Sequence, residues 1–170
     1  TVIIVGPACS KEEMASVERA ANPVIAADSA VSTFAGSGIV PVAVVTDLDG
    51  DLGAIAKFAS RGSVIVVHAH GDNIHLLDAA KGFGPAVLGT CQCRPFGRLF
   101  NFGGFTDGDR AAFLAERFGA SSAELVGFDF DKPAPKPSQD PAVKLRKLKW
   151  AKRLLGELKV DVTLGGERLV

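Results

Sequence analysis

Short apolar runs rich in β-branched residues recur along the chain, each followed by glycine or a polar turn and then by a helical stretch. The runs cover residues 2–5, 24–27, 42–45, 64–67, 86–88 and 124–128. They are too short for helices and are apolar throughout instead of alternating, which is how strands buried on both faces read. Parallel neighbours need a crossover, so repeated βα units predict an α/β fold with a doubly wound, mostly parallel sheet and helices on both faces. The clearest helix start is Ser10-Lys11-Glu12-Glu13, a capping box, and Asn22-Pro23 marks its end. Further helices are expected over 53–60, 74–81, 109–118 and 143–158. Residues 131–138 carry Pro133, Pro135 and Pro137, and this alternation forbids helix and ladder alike, so an extended loop is expected there. The tail, residues 160–170, reads as a C-terminal hairpin turning at Gly165-Gly166.

Composition narrows the function classes. A chain of 170 residues with 47% hydrophobic content fills one core and is short for two. Nineteen basic and 19 acidic residues balance, so no global field exists to recruit nucleic acid or an anionic membrane, and neither partner is expected. No apolar run approaches the roughly 20 residues of a spanning helix, and residues 1–6 lack the basic region and cleavage site of a signal peptide, so a cytoplasmic protein is expected. Cys9, Cys91 and Cys93 are an odd set with no paired spacing, which favours reduced thiols over disulfides or structural zinc. Thr1 stands inside the first strand run without an initiator methionine, so a further N-terminal segment is expected ahead of it.

In an open parallel sheet ligands bind beyond the carboxyl ends of the strands. Those positions are acidic here: Asp28-Ser29 after the second run, Thr46-Asp47-Leu48-Asp49-Gly50-Asp51 after the third, and His68-Ala69-His70-Gly71-Asp72-Asn73 after the fourth. Later come Thr106-Asp107-Gly108-Asp109-Arg110, then Asp129 and Asp131. Single aspartates often cap helices, and Asp109 is placed to be an N-cap. So many carboxylates together repel one another unless a cation sits among them, and hard oxygen ligands favour magnesium bridging to phosphates. Gly6 to Ser10 leads into a helix N-terminus, a weak phosphate signal in a chain with no P-loop and no dinucleotide fingerprint.

Two motifs offer competing chemistry. Asp47-Leu48-Asp49-Gly50 resembles the first motif of haloacid-dehalogenase-type phosphatases, where the first aspartate is the nucleophile, but that motif usually stands on the first strand. His68-x-His70-x-Asp72 resembles a metallo-β-lactamase zinc motif, but Asn73 replaces its last histidine and three histidines in all cannot furnish a dinuclear site. Hydrogen bonds from His68 and His70 to phosphate, with Asp72 toward a metal, or a mononuclear site on the pair, remain open. The basic helix keeps an apolar stripe at Leu145, Leu148, Ala151, Leu155 and Leu158; Lys144 and Lys147 near its start are candidates to reach phosphate. Residues 89–93 are too polar and irregular for a core strand, and the nearby Phe96, Phe100, Phe102 and Phe105 could stack on a flat ring.

Together, residues 27–30, 45–50, 67–73, 101–110 and 127–130 resemble, in order and spacing, the archaeal 6-hydroxymethyl-7,8-dihydropterin pyrophosphokinases, over nearly the whole chain. That family is similar in fold to the thiamine pyrophosphokinase catalytic domain. The resemblance implies a single catalytic domain over residues 1–170 that transfers diphosphate from ATP to a pterin hydroxymethyl group and releases AMP. It implies Mg2+ held by Asp47, Asp49, Asp72 and Asp107, Asp28 and Ser29 on a metal-bound water or the ribose, and His68 and His70 on phosphate. Arg110 would stabilise charge on the bridging oxygens, with Thr106 beside it, and Asn73 and Asp109 would read the pterin edge. The partners implied are ATP and a pterin alcohol; a homo-oligomer is a separate expectation that no residue here specifies. The rivals are a thiamine-pyrophosphokinase-like enzyme on another heteroaromatic alcohol, an aspartyl phosphatase, and a nucleotide-binding module without turnover.

Overall fold

The computed structural model describes residues 1–132 and 140–169, so most of the expected 131–138 loop and the last tail residue lie outside the described residues. Nine strands form one sheet in the order β6-β5-β4-β3-β2-β1-β7-β8-β9. They are β1 (Val2–Val5), β2 (Val24–Ala27), β3 (Ala43–Thr46), β4 (Val64–Ala69), β5 (Val87–Cys91), β6 (Leu99–Phe100), β7 (Ser122–Val126), β8 (Asp161–Leu164) and β9 (Glu167–Arg168). Every pairing is parallel except β8 with β9. The chain winds outward from β1 to β6, then returns across the sheet to place β7 on the other side of β1. The expected doubly wound, mostly parallel α/β sheet is therefore present.

Helices cover both faces. One face carries α1 (Lys11–Ala20), α2 (Leu52–Ser60) and two 3₁₀ segments, Asp28–Phe34 and Ile74–Phe83. Met14, Val17, Phe34, Ile55, Phe58 and Phe83 from these elements meet Ile3, Val5, Val24, Val44, Ile65 and Val67 of the strands. The other face carries α3 (Asp107–Arg117) and α4 (Pro141–Leu155), whose Ala111, Ala112, Ala115, Ala151 and Leu155 pack on Ile4, Ile25, Val45, Val66 and Leu125. Alternate strand residues thus go to opposite faces, which is why the runs are apolar throughout. The small residues of α3 let it lie close over β1, β2 and β3.

Several expectations are corrected. The 74–81 helix is a 3₁₀ segment extending to Phe83, with only Phe83 buried, so little packing supports a regular α-helix there. The third run is shifted by one residue, so that Thr46 closes β3. The fifth extends through the polar stretch to Cys91, because Thr90 bonds within the sheet and Gly89 makes room for Leu99 of β6, whose Cδ2 would lie 2.6 Å from a Cβ there. The seventh strand ends at Val126, leaving residues 127–130 to the loop beyond. Helix α3 starts at Asp107 with Thr106 as its cap, so Asp109 is not the N-cap but the third helical residue, answering Thr106 in a capping box. Ser10 and Glu13 form the expected box on α1, and Asp140 caps α4. The C-terminal hairpin turns at Gly165 and Gly166, both at positive φ as a two-residue turn of this kind requires. Among the described residues no helix is long and apolar enough to cross a membrane, and the three cysteines are free thiols.

Candidate active site

A cleft of about 450 Å³ opens at the carboxyl ends of the central strands. Its floor comes from Asp28 after β2, Asp47 after β3, and His68 and His70 at the end of β4; the N-terminal turn of α3 and the loop after β7 form further walls. Lys132, Lys144 and Lys147 add a cationic side. The reversal of winding beside β1 opens this space, since connections leave in opposite directions there.

Carboxylate oxygens of Asp28, Asp47 and Asp107 all lie within 4.8 Å of one another. Asp28 is buried, and one of its oxygens accepts a short hydrogen bond from the Thr46 hydroxyl. That hydroxyl in turn accepts from the Leu48 N–H at 2.8 Å. Gly50 crosses directly over the Asp28 carboxylate: a Cβ there would stand 2.9 Å from its Cγ, so the loop admits only glycine at this point. Leu48 adopts φ 71°, in the left-handed region. Such a conformation costs of order 1–3 kcal/mol for a non-glycine residue. Its side chain is 1% exposed, and burial of a leucine stabilises by about 1.5–3 kcal/mol, enough to offset that cost. The core therefore holds the bend that turns Asp47 and Asp49 toward the cleft.

The electrostatics match this crowding. Burial, and then Asp49, push the Asp47 carboxyl above the ordinary carboxylate range. Burial, Asp47 and Asp28 push Asp107 well above it, against the pull of Arg110. His70 Nε2 stands 3.5 Å from Asp47 Oδ2. Arg110, largely buried, donates from Nη2 to the Phe105 carbonyl at 2.9 Å; burial lowers its pKa, while Asp107, Asp109 and Asp47 act in the opposite sense. Three converging carboxylate oxygens, two of them on carboxyls raised by burial and by neighbouring acids, are a donor set suited to a hard divalent cation, and magnesium bound by one or two carboxylates and waters fits it.

The structure gathers most of the residues singled out in the sequence. Asp28, Ser29, Asp47, Asp49, His68, His70, Asp72, Thr106, Asp107, Arg110, Lys144 and Lys147 all line the cleft. Their division of labour differs from the expectation. Asp28 joins Asp47 and Asp107 in the tight cluster, whereas Asp49 and Asp72 stand outside that triangle on exposed walls. Asn73 and Asp109 do not line the cleft. Asn73 is buried and donates to the carbonyls of Asp47 at 2.8 Å and His68 at 2.7 Å, while accepting from the His70 N–H, so it staples two strand-end loops together. Asp109 accepts from the Phe105 and Thr106 N–H groups and from the Thr106 hydroxyl. Both side chains are thus bonded to the scaffold and lie outside the cleft lining.

Two further residues contribute. Thr46 holds Asp28, and Lys132 reaches the cleft from the loop where the Asp129 carboxylate accepts from the Asp131 and Lys132 N–H groups. A threonine closing an otherwise apolar strand was the available signal for Thr46. Phe105 and Phe128 flank the cleft, while Phe100 and Phe102 stack on each other, with ring centroids 5.6 Å apart.

Fold and site together define an α/β protein with an acidic, cation-rimmed ligand cleft at the carboxyl edge of a parallel sheet. Residues 1–134 match the family described as 6-hydroxymethylpterin diphosphokinase MptE-like, and the chain belongs to that family. It is similar to proteins named 6-hydroxymethyl-7,8-dihydropterin pyrophosphokinase from three archaea. Identity is 52% over 143 residues with that of Pyrococcus furiosus, covering 79% of this chain and 61% of the relative. It is 42% over 157 residues with that of Methanocaldococcus jannaschii, covering 84% and 65%. It is 42% over 142 residues with that of Methanothermobacter thermautotrophicus, covering 78% and 61%. The chain thus spans under two thirds of the length of these curated relatives.

Proposed function

We propose that this protein transfers diphosphate from ATP to the hydroxymethyl group of 6-hydroxymethyl-7,8-dihydropterin and releases AMP. The observation that carries the reading is the Asp28, Asp47 and Asp107 cluster in a cleft that Lys132, Lys144 and Lys147 also line. A site that combines clustered carboxylates with lysines is complementary to a metal–polyphosphate complex, whose cation and anionic oxygens need both. Family membership and the names of the relatives supply the pterin. Mg2+ bound by Asp47 and Asp107, with Asp28 as third ligand or partner of a bound water, would neutralise phosphate charge and orient the polyphosphate. The chain's own groups do the rest. Lys132, Lys144 and Lys147 bind outer phosphate oxygens, and Arg110 stabilises charge on the bridging oxygens that develops during transfer. Phe105 and Phe128 exclude water and offer ring faces to a flat substrate. Asp47 serves as a ligand in this reading, not as a nucleophile.

Incubation of the protein with ATP, magnesium and 6-hydroxymethyl-7,8-dihydropterin is expected to yield AMP and pterin diphosphate in equal amounts. Release of ADP or inorganic phosphate in their place would reject the diphosphate transfer, and ATP binding without product would leave a binding module.

A further inference from the structure

His68 is the buried polar side chain of the site whose hydrogen bonding is incomplete. Its residue is 1% exposed, and Nε2 has no partner among the described residues. Nδ1 lies 3.0 Å from the Thr90 hydroxyl, and that hydroxyl donates its hydrogen to the Val67 carbonyl at 3.2 Å. Both contacts are satisfied together when Thr90 Oγ1 accepts from His68, which puts the imidazole proton on Nδ1 and a bare lone pair at Nε2. Burial, Arg110 and His70 lower its pKa to about 4, which keeps the ring neutral. A neutral imidazole offering a lone pair repels a phosphate oxygen and requires a donor. This opposes the expectation that His68 binds phosphate.

The surroundings indicate which donor. His68 and Arg110 form the partition between the main cleft and a small cavity of about 10 Å³ behind it. Val45, Val66, Phe102 and Leu114 make that cavity mainly apolar. Its volume corresponds to about one water, too small for a whole ring or a phosphate. Leaving such an acceptor buried and unpaired costs about 1–3 kcal/mol, a penalty that a ligand donor would remove on binding.

We propose that His68 Nε2 accepts a hydrogen bond from a ring N–H of the heteroaromatic alcohol, making His68 a determinant of which ring is accepted. This rests on the preceding functional reading. A ring lacking that N–H would leave the lone pair unpaired and be disfavoured, as sites with fixed buried acceptors disfavour analogues without the matching donor.

The test uses two variants and one spectroscopic measurement. His68→Asn keeps an amide donor near the Nδ1 position, so Thr90 stays bonded while the distal acceptor is lost; His68→Gln restores a carbonyl oxygen near Nε2. With 6-hydroxymethyl-7,8-dihydropterin as the probe, H68N is expected to raise its KM about 10- to 100-fold, the range of an unpaired buried group, with the KM for magnesium-ATP changed less than about twofold. H68Q is expected to recover most of the loss. In the wild-type protein, the Nε2 nitrogen resonance is expected at the position of an unprotonated nitrogen and to move upfield when the pterin is added without ATP. An unchanged pterin KM in H68N, a parallel rise in the KM for ATP, or an unmoved Nε2 resonance overturns the proposal. If H68N does not fold, the resonance decides alone. Absence of AMP formation by the wild-type protein would instead defeat the functional reading, so the two failures are distinguishable.

Discussion

At the scale of single residues, the site is a set of carboxylates placed by side-chain bonds and close backbone approaches. Asp47 and Asp107 stand out as metal-ligand candidates from their motifs, because acidic residues at strand and helix ends are unusual in such density. Asp28 could not be ranked with them from sequence. Its place depends on a bond from Thr46, eighteen positions away, and on the approach of the Gly50 backbone. For Asn73 and Asp109 the converse holds. Their polar atoms are committed to backbone groups of neighbouring loops, and residue type alone does not reveal a side chain already occupied. Asp47→Asn is expected to reduce AMP formation by more than the ~100-fold typical of losing an outer partner of a metal ligand, with the circular dichroism spectrum unchanged. Thr46→Val, which removes only the support of Asp28, is expected to weaken the apparent magnesium affinity roughly 10- to 100-fold, measured from the magnesium dependence of AMP formation. Wild-type magnesium dependence in that variant would show that Asp28 needs no orienting.

At the scale of elements, the strands and their order of use were legible, since a fully buried strand leaves an unbroken apolar run. What periodicity did not disclose was β6, only two residues long, and the continuation of β5 through Gly89 and Thr90. Near a sheet edge, pairing depends on the neighbour's shape more than on apolar pattern, and the Gly89 and Leu99 contact is a relation between distant positions. Helix α3 was read two residues short because Asp107 and Asp109 are both plausible starts; the Thr106 hydroxyl decides between them. This cap has a second duty, since the turn it fixes carries Asp107 into the cleft and Arg110 beneath it. Thr106→Ala is expected to cost about 1 kcal/mol of stability, seen as a fall in Tm of roughly 2–4 °C for a chain of this size. An unchanged Tm would mean that Asp109 alone sustains the helix start.

For the whole molecule, the clustered acids set stability against function. Because burial, Asp47 and Asp28 raise the Asp107 carboxyl, the folded protein holds this proton more tightly than the unfolded chain does. The contribution is present below the ordinary value of 3.8 and is lost as pH rises through the folded-state value. Without divalent cations, Asp107→Asn is therefore expected to raise Tm at pH 7, by about 2–4 °C for each ~1 kcal/mol of repulsion relieved, and to flatten the pH dependence of Tm above pH 4. Magnesium should raise the Tm of the wild-type protein more than that of the variant. Equal magnesium responses would remove Asp107 from the metal site. The strand order has a separate consequence for biosynthesis. Strand β1 is flanked in the finished sheet by β2, which follows it closely, and by β7, made more than a hundred residues later. Until residues 122–126 have left the ribosome, one edge of this wholly apolar strand has no native partner, so truncated or stalled chains expose an aggregation-prone edge at what will become the centre of the molecule.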